Sequence, residues 1–187
     1  TDVDEFLIVD PALGISLVDY LSSLPPRISY SGLGIDVGQH TELEGEIDAG
    51  RPFLNQRRFA LLSTRYSKST VITRPVAWGS GFHRVRNANF HIQKDLYLFH
   101  FGCVDYNRLA AKFTDKDKVD TGWSRHLAKR AKTILVVSSS VAKDWNRWIP
   151  IARKIQNIVR PPYAWNKPAM FNLRPVVEIP ERFKDIV

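Results

Sequence analysis

The chain has 187 residues, 44% of them hydrophobic, 25% charged and 11% aromatic, which suits one globular domain with a buried core. A single cysteine, Cys103, excludes an internal disulfide and a cysteine-based zinc cluster, and no apolar run approaches the ~18 residues of a membrane span. A formal net charge of +8 and a pI near 9.7 favour anionic partners such as nucleotide phosphates, acidic lipid headgroups or nucleic acid.

The chain opens on Asp2, Asp4 and Glu5, followed at once by the apolar Phe6, Leu7 and Ile8. An extended turn over residues 2–4 at a strand end points both aspartates to one side. That is the oxygen-donor arrangement a hard divalent cation takes. The competing reading is a solvated turn. Acidic clusters of this kind normally follow a buried strand. None precedes Asp2, so the chain reads as a piece of something longer.

Ser16 reads as a helix N-cap with Asp19 as its capping-box partner. Ile15, Val18, Leu21 and Leu24 form the expected apolar face, which ends at Pro25-Pro26. Residues 27–35 read as a strand. Residues 36–52 hold three glycines and five acidic residues and read as a long loop. Residues 57–66 are ambiguous between helix and strand. The β-branched stretch Lys68–Trp78 reads as a strand with Pro75 at an edge or bulge, and Gly79–Gly81 as a turn. Residues 96–101 are a strong strand, with Tyr97, Phe99 and Phe101 on one face and Leu96, Leu98 and His100 on the other.

Four helices are expected beyond, over residues 105–113, 123–132, 138–148 and 151–159, the last two separated by Pro150. From Arg160 onward five prolines imply an extended tail, with a short strand over 174–179.

Charge is uneven. The first fifty residues carry ten acidic side chains against Arg27 alone, and positive charge gathers later, notably over 125–132. Among the histidines, His100 stands out at the end of an apolar strand, where an imidazole can either join a metal shell with the aspartates or serve as a core or capping residue. His83 is a substrate contact or a turn residue. Cys103 reads as a small buried thiol. Serine-hydrolase, P-loop and dinucleotide-binding signatures are absent.

The blocks Asp2-Val-Asp-Glu-Phe-Leu, Arg65-Tyr-Ser-Lys68 leading into Val71–Trp78, Gly81-Phe-His83 and Leu98–Tyr106 resemble, in order and spacing, family 2-type glycosyltransferases with a D-x-D-E-F signature. The resemblance covers Thr1 to about Phe113. It implies an α/β fold with a mixed sheet and flanking helices, and a partial GT-A-like domain over 1–113 without its N-terminal nucleotide-binding portion. Beyond it the residues themselves read as a helical extension over 114–160 and a Pro-rich extended tail over 161–187.

The implied activity is transfer of a sugar from a nucleotide-sugar donor to a saccharide or lipid-linked acceptor in bacterial surface polysaccharide synthesis. Asp2, Asp4 and His100 would hold Mn²⁺ or Mg²⁺, Asp4 most directly. Lys68, Trp78 and His83 would line the substrate pocket. An inverting transfer needs a carboxylate base, for which Glu5, Asp36, Glu42, Glu44 and Asp105 are candidates. The setting implied is cytoplasmic, at the inner face of a membrane, with the basic 125–132 run near an anionic surface and nucleic acid not the expected partner. The alternative is a non-catalytic basic module for nucleic acid or an anionic surface. A phosphohydrolase is disfavoured, because Phe6 stands where Asp-x-Asp-x-Thr needs threonine.

Overall fold

The computed structural model describes residues 2–27, 29–79, 85, 91–114, 124–158 and 175–187. They form an α/β fold with a six-stranded mixed sheet and flanking helices, as expected at that coarse level. The strands are β1 (Glu5–Val9), β2 (Ser29–Gly38), β3 (Phe59–Leu62), β4 (Ser69–Ile72), β5 (Ile92–Cys103) and β6 (Val176–Glu178). The helices are α1 (Leu17–Ser23), α2 (Phe53–Gln56), α3 (Tyr106–Thr114), α4 (Ser124–Ser139) and α5 (Trp145–Ile158). The sheet order is β1-β5-β2-β3-β6, with β4 paired to β2. The chain divides into two compact units, each drawn from three separate segments, whereas the sequence divisions at 113 and 160 are consecutive.

The first unit takes residues 1–35, 62–100 and 146–174. Here β1 runs antiparallel to β5, with Glu5 opposite His100, Leu7 opposite Leu98 and Val9 opposite Leu96. Opposed residues of an antiparallel pair share a face, so Leu7, Val9 and Leu96 gather with Tyr20, Leu17, Leu21 and Leu24 into one apolar cluster. Ser16 caps α1 as expected: its hydroxyl accepts from the Asp19 amide at 3.1 Å and donates to the Asp19 carboxylate at 2.6 Å. The apolar face differs from the expected one. Ile15 and Val18 are exposed. The inward stripe is Leu17, Tyr20, Leu21 and Leu24, at positions i, i+3, i+4 and i+7, which follows a 3.6-residue turn better than a strict three-residue repeat.

Strand β4 ends at Ile72, well short of Trp78. Pro75 has no amide to donate, so a regular ladder cannot run through it. Trp78 keeps one isolated antiparallel bridge, to Val85.

The second unit takes residues 36–61, 101–145 and 175–187. Strand β2 runs to Gly38, three residues beyond the expected strand, with every position buried. Asp36 is buried there and accepts from the Thr133 hydroxyl at 3.0 Å. The expected break at 132 does not occur, and α4 continues to Ser139. Near its end the Ser138 hydroxyl accepts from the Thr41 amide at 3.1 Å. Residues 140–144 are not helical, which corrects the expected 138–148 helix. In α5, Pro150 lies inside a continuous helix, where it removes one backbone bond without ending it.

The described part of the tail is packed. Strand β6 pairs antiparallel with β3, and Phe183 is fully buried with its ring 5.4 Å from that of Trp145. Among the described residues no helix is long and apolar enough to cross a membrane.

Candidate functional site

The site lies in the first unit, where the start of β1 meets the end of the β5 segment that pairs with it. Residues 2–4 form a turn ahead of β1. The turn is closed by the Glu5 amide donating to the Asp2 carbonyl and by the Asp2 amide donating to the Glu5 carboxylate, both at 3.1 Å. The acidic residues therefore sit at the amino end of their strand, opposite the usual placement. Antiparallel pairing compensates by bringing His100 of β5 beside them.

The Asp4 carboxylate lies 3.5 Å from His100 Nε2. The His100 side chain is only 2% exposed and that of Asp4 29%, so the pair has one buried and one solvent-facing member. Asp2 turns to a different partner. Its carboxylate is 3.0 Å from Lys68 Nζ, which also meets the buried Glu5 carboxylate at 2.8 Å. Lys68 is itself buried, and thus acts as a fixed internal cation between two carboxylates.

Two residues that sequence reasoning passed over complete the arrangement. The Tyr66 ring stacks on His100 with centroids 3.7 Å apart and planes 16° from parallel. The Ser67 hydroxyl accepts from the Gly34 amide at 2.8 Å and donates to the Gln156 side chain at 2.5 Å, which anchors the turn carrying Tyr66 and Lys68. Gly34 makes this approach possible. A Cβ there would lie 2.4 Å from the Ser63 carbonyl oxygen and 2.6 Å from the Ser67 nitrogen. The interior glycines Gly32 and Gly34 were the available signal, since a strand glycine often marks a close backbone neighbour.

The remaining candidates lie elsewhere. Trp78 is half-buried. His83 lies outside the described residues. Asp105 belongs to the second unit, where its carboxylate accepts from the Arg108 amide at 2.8 Å and the Ile47 amide at 3.0 Å and lies 3.9 Å from Arg57. That is a helix-capping role at the start of α3. Arg57 is almost fully buried and donates to the Val104, Gln56 and Gly45 carbonyls. Burial pulls its pKa down, with Glu44 and Asp105 opposing. Glu44 accepts from the Arg58 and His40 amides at 2.6 and 2.7 Å. Through these bonds Arg57, Glu44 and Asp105 hold the 39–58 segment in place.

Among the described residues no three His, Cys, Asp or Glu side chains converge as a metal shell. Asp4 and His100 supply one carboxylate and one imidazole. Mg²⁺ commonly takes one or two carboxylates and completes its shell with water and phosphate oxygens, and Mn²⁺ shares this preference for oxygen ligands, so Asp4 is the better donor of the two. This pair fits such an ion, with Asp2 withheld by Lys68.

Comparison of the chain with protein-family models, curated proteins and solved structures finds no match.

Proposed function

We propose that this chain carries a divalent-cation-assisted sugar-transfer site, which takes a nucleotide-sugar donor and a saccharide or lipid-linked acceptor. The observation that supports the reading is the 3.5 Å approach of Asp4 and His100, two groups far apart in sequence. Each has the character such a site needs. Asp4 reaches solvent, so its carboxylate can exchange a contact with His100 for one with an ion. His100 is buried and stacked on Tyr66, so its ring is pre-aimed.

A cation bound there would offset the charge that builds on a departing nucleoside diphosphate. The chain's own residues position the rest. Glu5 and Lys68 brace the turn that presents Asp4, and Tyr66 fixes the plane of the imidazole. As the acceptor's base, Glu5 has its carboxylate on Lys68, and Asp105 caps α3 in the other unit.

The test is Mn²⁺ binding followed by electron paramagnetic resonance, alone and with a nucleoside diphosphate. Asp4→Ala and His100→Ala should each weaken binding by about tenfold or more, the range seen when a supporting or direct ligand is lost. Unchanged Mn²⁺ affinity in Asp4→Ala would remove the basis of the reading.

A further inference from the structure

A surface helix normally shows one apolar stripe, turned to the core, and a polar remainder. Helix α5 has an outward one as well. Its inward face, the apolar Trp145 and Ile149 with the polar Gln156, is buried. The second stripe consists of Trp148, Ile151, Ile155 and Ile158, at steps of three, four and three residues. At about 100° per residue these fall within a quarter-turn of one another on the helix surface. Ile151, Ile155 and Ile158 are 40%, 41% and 68% exposed, and Trp148 is half-buried at the stripe's edge. Arg147 and Lys154, both exposed, flank the stripe on one side. Helix α5 contains no acidic residue.

We propose that this face of α5 seats on an anionic lipid surface, lying in the headgroup plane with its isoleucines at the acyl boundary. The residue types decide the occupant. Three aligned isoleucines offer nothing to a nucleic-acid phosphate or base, which calls for basic and aromatic contacts. A second copy packed antiparallel on this face would bring its own Arg147 and Lys154 beside this pair, so that like charges meet, and one packed parallel would leave both pairs of cations without an anionic partner in the contact. An anionic bilayer satisfies both halves at once: apolar side chains leave water and the flanking cations meet headgroup charge. A tryptophan at the stripe's edge has its ring at the depth where such residues concentrate. The inference does not depend on the sugar-transfer reading.

The test is flotation of the full chain with vesicles of phosphatidylcholine alone and with added phosphatidylserine. Binding to the serine-lipid vesicles and little to the neutral ones is expected, weakening as salt is raised. Ile151→Ser and Ile155→Ser should each weaken it by about tenfold, the scale of one aliphatic side chain withdrawn from water. Lys154→Glu should weaken it by about fivefold or more. The positions are exposed, so circular dichroism of each variant should match that of the parent.

Three results would overturn the proposal: absence of vesicle binding, vesicle binding that both isoleucine variants retain in full, or a dimer seen by light scattering that those variants abolish without any flotation of the parent. The second would move the contact to a surface that includes the exposed Lys132 of α4, and the third would make the occupant a second copy.

Discussion

The imidazole of His100 lies flat on the phenol ring of Tyr66, 3.7 Å between centroids and 16° from parallel, while its Nε2 faces the Asp4 carboxylate at 3.5 Å. Stacking on one side and a carboxylate at the edge leave the ring little freedom to turn. A ring pair of this kind contributes about 1 kcal/mol beyond its buried area. A double-mutant cycle of Tyr66→Ala and His100→Ala, followed by urea unfolding, should therefore return a coupling of about 1 kcal/mol. Tyr66→Ala alone should also weaken Mn²⁺ binding without touching a ligand, which a purely packing role would not do.

Lys68 holds its ammonium 2.8 Å from Glu5 and 3.0 Å from Asp2. Both Lys68 and Glu5 are buried, so removing the cation strands a carboxylate away from water. Breaking a buried pair from one side typically costs about 3–5 kcal/mol, whereas replacing both partners can be neutral. Lys68→Met should lose stability on that scale in urea, and Glu5→Gln combined with Lys68→Met should recover most of it. A double variant no more stable than Lys68→Met would show that the pair has no such coupling.

The long-period features of the fold were legible in the sequence, and the tertiary ones were not. The Ser16 cap follows from local hydrogen-bond chemistry, which depends on neighbours in sequence, and the helix from residue 105 follows from composition. The strand around His100 follows from its apolar run, and the Asp4 carboxylate lies 3.5 Å from the His100 ring. Asp2 was assigned with Asp4, yet it faces Lys68, because a buried ammonium attracts any carboxylate within reach and no spacing rule reveals where a lysine points. Asp105 has the residue type of a general base and the position of a helix cap. Two amides and Arg57 meet its oxygens. Tyr66 gave no signal, because stacking on His100 depends on a turn pressed against Gly34 from another strand.

That turn makes Gly34 a sharp test. A Cβ there would stand 2.4 Å from the Ser63 carbonyl oxygen and 2.7 Å from the Tyr66 carbonyl carbon, both backbone atoms that cannot rotate aside. Overpacking of this sort costs about 1–3 kcal/mol. Gly34→Ala should lower the thermal midpoint accordingly and lift the turn that carries Tyr66 and Lys68. The second effect is readable as a loss of Mn²⁺ affinity larger than the loss of stability alone produces. The same substitution at Gly45, where nothing lies within 4 Å, is the matched control.

Two buried carboxylates in the second unit set opposite pH dependences. Burial raises the Glu44 pKa above its ordinary 4.5, against the pull of the Arg58 and His40 amides and of Arg57. A raised carboxyl favours folding in its protonated form. Its contribution is therefore full below 4.5 and is lost as pH climbs through the higher folded value. Burial also works against ionisation of Asp105, but the Arg108 and Ile47 amides, with the charges of Arg57 and Arg108, bring its pKa below the ordinary 3.8. Its contribution is present above 3.8 and is lost as pH falls through the lower folded value. Urea unfolding across pH should thus show a shallow rise in stability on acidification from neutrality toward 4.5 and a fall below 3.8. Glu44→Gln should flatten the first limb and Asp105→Asn the second. Asp105→Asn should also cost about 1 kcal/mol at neutral pH, because an amide caps α3 but cannot accept from two backbone donors while facing Arg57 as a charge. A parent profile that the two variants leave unchanged in slope would place the titrating groups elsewhere.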